Sequence, residues 1–130
     1  LEAHNEKNLI LIKGLEGSTD IAISRKTMSV HIKNKDSKRL ILEPMNYDLS
    51  GEDLRWEGSD QWTKNAIDAL NNKGPFKKAL IWNGGVYLWF SGIASDLEDG
   101  IKKAKLSIDS GAAKNTLEKL ILWRSNLKNT

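Results

Sequence analysis

The sequence has 130 residues, the length of one ordinary domain, and its hydrophobic residues (39%) fall in dense blocks that favour a packed core over disorder. Twenty basic and 17 acidic residues leave a net charge of +3, which is too small to indicate a partner. Because cysteine is absent, disulfide scaffolds, thiolate metal sites and cysteine nucleophiles are excluded, and we expect a reducing, cytoplasmic compartment. No run of 18 apolar residues and no targeting signature is present, so we expect no membrane association.

Three segments in the first third of the chain have the hydropathy of β-strands. Residues 8–13 (NLILIK) form a short, mostly apolar run, which predicts a strand buried on both faces. Residues 27–32 alternate polar and apolar side chains, which predicts a half-buried strand, and a polar turn then leads to another strand over residues 39–43. Pro44 cannot donate a hydrogen bond to a neighbouring strand, so we expect it to end this hairpin.

A loop with two glycines connects the first predicted strand to the hairpin. Gly14 and Gly17 permit a positive φ or a close approach of the backbone to a ligand, and Asp20 follows them. Loops that follow buried strands commonly bind ligands in α/β proteins, so this loop is a candidate site. The alternative is that Asp20 only caps a turn, which aspartate often does.

The second half of the sequence has the period of helices. Ser59 precedes apolar residues spaced by three and four, so we expect it to cap a helix of about three turns that ends at residues 71–74. Residues 95–98 (SDLE) have the pattern of a capping box and begin another helix, which ends near Gly111. An apolar stripe from Ala113 predicts a last helix towards the C-terminus.

Residues 77–90 (KKALIWNGGVYLWF) allow two structures. Aromatic-rich runs on both sides of Asn83, Gly84 and Gly85 are typical of a β-hairpin. The same residues also fit a helix that is apolar on nearly all sides, has Pro75 in its first turn and uses its glycines for close packing. The local pattern favours the hairpin slightly.

Charge is unevenly distributed along the chain. The segment 25–39 contains one acidic residue, Asp36, and six basic residues: Arg25, Lys26, Lys33, Lys35, Lys38 and Arg39. The segment 43–60 is acidic with a single arginine. Such segments are usually solvated surfaces, and lysines often block pairing at edge strands. The alternative is that the basic segment contacts phosphates.

The order of motifs resembles the C-terminal part of the anthranilate phosphoribosyltransferase family, and most closely the diverged members that share its nucleoside phosphorylase-like α/β domain. The resemblance covers most of the chain. It rests on the glycine loop, a Gly-Ser-Asp motif, an apolar segment ending in asparagine, and a capped helix followed by Ser-Gly, at residues 14–20, 58–60, 79–83, 96–101 and 110–111.

The resemblance implies both a fold and a site. It places residues 77–90 in a buried helix, against the local hairpin pattern. It also implies a Mg²⁺ site, because the family has an adjacent Asp-Glu pair at the positions of Thr19 and Asp20. Since Thr19 replaces a carboxylate, the implied metal ligands are Asp20 and the nearby Glu16.

Taken together, the predicted fold is of the α/β class (α+β as a fragment), with a small mixed sheet carrying a hairpin followed by about four C-terminal helices. We expect residues 1–130 to form one domain, which the resemblance identifies as the C-terminal portion of a phosphoribosyltransferase-like α/β domain, without the family's N-terminal helical domain and phosphate loop. The resemblance implies that the parent is a homodimer, and we expect this chain to be monomeric.

Three functional hypotheses follow, the first implied by the family resemblance and the second by the basic segment. The first is Mg²⁺-assisted pentosyl transfer from phosphoribosyl pyrophosphate, with the isolated chain inactive. The second is a non-catalytic relative that binds nucleic acid through the basic hairpin 25–39. A third is a foldable remnant with no activity of its own.

Overall fold

The computed structural model describes residues 8–14, 19–34 and 36–127. The chain divides into two compact units, Leu1–Asp53 and Leu54–Thr130. The first unit carries three strands and the second carries four α-helices, which confirms the predicted sheet with a hairpin followed by four helices. No helix among the described residues is long and apolar enough to cross a membrane.

The sheet of the first unit is antiparallel throughout, in the order β1, β2, β3. The strands are β1 (Asn8–Ile12), β2 (Thr27–Lys33) and β3 (Asp36–Leu42). Residues directly opposite each other on paired strands point to the same face of the sheet. The strand register therefore shows on which face each side chain lies. Thr27 lies opposite Leu42, and both are buried; the 3-10 turn Pro44–Tyr47 follows β3, as the proline predicts.

The prediction that the first strand is buried on both faces is wrong. Leu11, on β1, is 43% exposed, and on the same face Met28 and Ile41 are 70% and 63% exposed. β1 pairs with β2 alone, at the edge of the sheet. A strand is buried on both faces only where layers lie on both sides of its sheet. The described residues supply little cover for the face with Leu11.

The first helix of the second unit, α1 (Ser59–Leu70), begins one residue earlier than predicted. Its N-cap is Gly58, whose φ of +93° suits glycine, so Ser59 is the first helical residue and not the cap. The helix ends where the sequence predicts, and Asn72 and Gly74 follow it with positive φ. Trp62 on α1 stacks edge-to-face on Phe76, with ring centroids 6.0 Å apart.

Residues 77–90 are helical, as the family resemblance predicts. The helix α2 (Lys77–Phe90) packs on α3 (Leu97–Asp109) with backbones in near contact. A Cβ atom built on Gly100 would lie 2.2 Å from the carbonyl oxygen of Gly85, so the crossing requires a glycine. The local hairpin pattern is wrong, because the glycines serve this helix contact and not a turn.

The cap of α3 uses the predicted segment shifted by one residue. The Asp96 side chain accepts a hydrogen bond from the Asp99 backbone N–H at 2.8 Å, and the Asp99 carboxylate accepts one from the Ser95 N–H at 3.0 Å. This is a reciprocal capping arrangement with aspartate in both roles. Gly111, with φ of +75°, ends α3 and precedes α4 (Ala112–Leu127), which buries none of its residues.

Candidate functional site

The predicted glycine loop is described only at its ends. Glu16 and the other residues of 15–18 lie outside the described residues. Thr19 is exposed and Asp20 is half-buried, in irregular backbone between β1 and β2. The next three residues are an apolar anchor, because Ile21, Ala22 and Ile23 are all exposed by 2% or less. Asp20 therefore lies where this buried anchor meets the exposed part of the loop.

The anchor continues into a hydrogen-bonded cluster centred on Asp53. One carboxylate oxygen, Oδ1, accepts from the backbone N–H groups of Ile23 at 2.8 Å and Ser24 at 3.1 Å. The other, Oδ2, accepts from the Ser24 hydroxyl at 2.5 Å and from Arg25 Nη1 at 3.1 Å. The Gly51 N–H closes the arrangement by donating to the Ile23 carbonyl at 3.1 Å. The segment after Asp20 is thus fastened to residues 51–53.

Electrostatics in this cluster favour the ionised carboxylate. Burial raises the pKa of Asp53, but the hydrogen bonds from the Ser24 hydroxyl and the Ile23 and Ser24 amides, with the charge of Arg25, outweigh it. The pKa of Asp53 is therefore below its ordinary value. Sequence reasoning missed this residue, because 28 to 30 positions separate it from its partners and no local motif links them.

The donor set near Asp20 fits Mg²⁺ only in part. The described residues contain no cluster of three or more His, Asp or Glu side chains that could enclose a metal ion. Mg²⁺ seldom needs such a cluster, because it commonly binds one or two carboxylates together with waters and substrate phosphates. The carboxylate of Asp20 suits a site of that kind, in which a phosphate ligand completes the coordination.

The described basic residues of 25–39 are spread over more than one surface. The Arg25 guanidinium pairs with Asp53, and the pairing register places Lys33 and Lys38 on one face of the sheet and Arg39 on the other. Lys33 also lies opposite Asp36, and Lys26 is exposed in the loop before β2. Lys35 lies outside the described residues.

The asparagine of the apolar motif lies on α2. Asn83 is half-buried, and its side-chain Nδ2 donates to the carbonyl oxygen of Ala79 at 3.0 Å, one turn earlier. This bond satisfies part of the amide within its own helix.

Comparison with known protein families shows to which family the chain belongs. The model of the glycosyl transferase family, a/b domain, matches residues 1–114. The chain belongs to this family. The family match covers both units up to the first residues of α4.

Curated proteins named anthranilate phosphoribosyltransferase are similar to the chain over nearly all its length. The anthranilate phosphoribosyltransferase of Methanobrevibacter smithii is 31% identical over 124 residues, which are 92% of this chain and 37% of that protein. That of Methylobacillus flagellatus is 27% identical, over 92% of this chain and 36% of its own length. The chain thus spans little more than a third of the length of these curated relatives.

Proposed function

We propose that this chain forms the C-terminal portion of an anthranilate phosphoribosyltransferase-like enzyme and contributes the Asp20 loop to its active site. The observation that carries the proposal is the family match over residues 1–114, which includes this loop. In the reaction, the bond between C1 of the ribose and the pyrophosphate oxygen breaks. A bond from C1 to the amine nitrogen of the acceptor forms, and that nitrogen releases a proton.

The chain's own residues would act mainly by placing a carboxylate where it can bind the metal ion. Mg²⁺, when bound, would offset the charge that develops on the leaving pyrophosphate. Asp20 would hold that ion from the protein side, and Glu16 is the second proposed ligand. The buried anchor after Asp20 limits the motion of its backbone, which favours a constant distance between carboxylate and phosphates.

The chain alone would bind the donor incompletely, since Asp20 provides one described carboxylate and no described cluster encloses a metal ion. We therefore expect no measurable turnover from the 130-residue chain by itself. The reaction needs groups beyond those that this segment supplies.

A chimera tests the proposal directly. The matched 124 residues of the Methanobrevibacter smithii relative are replaced by this chain, and phosphoribosylation of anthranilate is measured by loss of anthranilate fluorescence. We expect activity in the chimera and a loss of at least tenfold with Asp20→Asn, since removing one charged ligand weakens stabilisation of the leaving group.

The matched control is Asp36→Asn, which removes an exposed carboxylate of the same unit at the start of β3. Its activity should equal that of the unmodified chimera. A chimera that melts cooperatively but has no activity would contradict the proposed function. Equal activity of the Asp20→Asn and unmodified chimeras would exclude Asp20 from the site.

A further inference from the structure

Asp53 is hydrogen-bonded to three consecutive residues that follow the candidate loop. Four donors from Ile23, Ser24 and Arg25 converge on the two oxygens of one carboxylate. Two of these donors are backbone N–H groups, so Asp53 holds the main chain itself. The bonds span 28 to 30 positions in sequence and join the loop to the end of the same unit.

The position of this cluster relative to Asp20 is what matters for function. Asp20 is followed at once by the buried residues Ile21 and Ala22, and then by Ile23, whose N–H and carbonyl are both bound. A carboxylate three residues from a fixed peptide has little freedom to shift along the chain. On the other side Lys13 N–H bonds the Met28 carbonyl at 3.3 Å, beyond the last residue of β1.

We propose that Asp53 is a positioning residue that holds the 19–25 segment so that the Asp20 carboxylate is placed to bind a metal ion that a phosphate ligand also binds. The inference rests on the proposed function, because it assigns Asp53 a role through Asp20. Asp53 touches neither metal nor substrate. It acts by restricting the backbone that carries the ligand.

The bonding pattern requires a carboxylate and not an amide. Both Asp53 oxygens accept, and all four of their partners are donors. An asparagine can keep the bonds to Oδ1, but its NH₂ group would then face the Arg25 guanidinium, which can only donate, and the Ser24 hydroxyl would have to turn and accept. Asp53→Asn therefore breaks the bond to Arg25 and removes the charge that strengthens the others, and Asp53→Ala removes all four bonds.

The test uses the 130-residue chain and two independent readouts. Amide hydrogen exchange of Ile23 and Ser24 reports whether the backbone is held. Mn²⁺ in the presence of inorganic pyrophosphate is the metal probe, and paramagnetic broadening of the Thr19 and Asp20 amide signals gives its affinity at the loop. We expect Asp53→Asn to weaken Mn²⁺ binding at least threefold and to speed exchange at both amides, because a neutral amide oxygen accepts their hydrogen bonds more weakly than a carboxylate does. Asp53→Ala should do more.

Two further variants keep the test decisive if Asp53→Ala does not fold. Ser24→Ala removes only the hydroxyl donor and should weaken Mn²⁺ binding, while Ser24→Thr, which keeps a hydroxyl, should restore it. Asp48→Asn is the matched control: it removes an exposed carboxylate of the same unit at a backbone position, φ +56°, that asparagine tolerates. Its affinity should be unchanged.

The possible results separate the inference from the proposed function. Faster exchange at Ile23 and Ser24 with unchanged Mn²⁺ affinity would show that Asp53 only stabilises the fold, and would overturn the inference alone. If the unmodified chain shows no Mn²⁺ broadening at residues 19–20, the proposed metal site fails and the inference fails with it. If Asp48→Asn weakens Mn²⁺ binding as much as Asp53→Asn does, the loss of one negative charge explains the result, and the inference is overturned.

Discussion

The Asp53 side chain is 21% exposed, so water screens its charge only in part. Hydrogen bonds to a charged group contribute more to stability than neutral ones, and two of the donors here are backbone amides. The lowered pKa of Asp53 expresses the same preference, because the folded state favours the ionised form. Stability of the first unit should therefore depend on pH through this residue.

We predict that Asp53→Asn lowers the free energy of unfolding of the first unit by about 2 kcal/mol at pH 7. Because the pKa is lower when folded, the contribution is complete above the ordinary value of 3.8 and declines as pH falls through the folded pKa. Urea unfolding, followed by the amide signals of β2 at pH 7, 4 and 2.5, measures it. A difference between the two proteins that does not shrink on acidification would contradict the assignment.

At the scale of elements, the contact between α2 and α3 depends on two glycines. Gly85 and Gly100 let the backbones approach so closely that a methyl group on either meets atoms of the other helix below 3.0 Å. Trp82 and Val86, on the same helix as Gly85, are fully buried. Close packing at this point is therefore a condition for the core of the second unit.

We predict that Gly100→Ala destabilises the second unit by about 2 kcal/mol, although alanine favours the helix more than glycine does. The overlap with the Gly85 carbonyl oxygen cannot be relieved by rotating a side chain. Gly84→Ala is the control: its methyl group would meet only Ala104 Cβ, at 3.4 Å, so we expect a change of less than about 1 kcal/mol. Denaturant unfolding followed by tryptophan fluorescence compares the stabilities of the two variants. Equal destabilisation by Gly100→Ala and Gly84→Ala would contradict the close contact of α2 and α3 at Gly100.

At the scale of the whole molecule, the last helix differs from the rest of its unit. It buries no residue, and Leu120, Ile121 and Trp123 are each more than half exposed. The family match also ends at residue 114, near the start of α4. Burial is what makes an apolar residue contribute to stability, so the helix adds little to the fold of this chain.

Truncation after Lys114 should therefore leave the melting temperature within about 3 °C of the full chain, since the lost residues remove little buried area. The truncated chain should also bind less of a hydrophobic dye, because it lacks the exposed apolar stripe. Circular dichroism melts and dye fluorescence measure the two effects. A fall of ten degrees or more would show that α4 packs on the unit.

Part of the fold is readable from local sequence. The alternation of residues 27–32, the turn residues after Leu70 and the acidic cap before α3 act over a few positions, so their patterns predict the strand, helix end and helix start. The loop that contains Asp20 is also readable from its glycines, whereas the metal-binding role of Asp20 is implied by the family resemblance and stays a prediction.

The remaining features depend on contacts between distant residues. Residues 77–90 have the local pattern of a hairpin, and only the close approach of Gly85 to Gly100 makes the helix the better structure. The exposure of β1 follows from what covers the sheet and not from its own composition. The sequence by itself thus determined the family, the loop with Asp20 and the elements outside residues 77–90. Tertiary structure alone decided that Asp53 holds the loop, because a carboxylate meets donors 28 to 30 positions away only when the chain is folded.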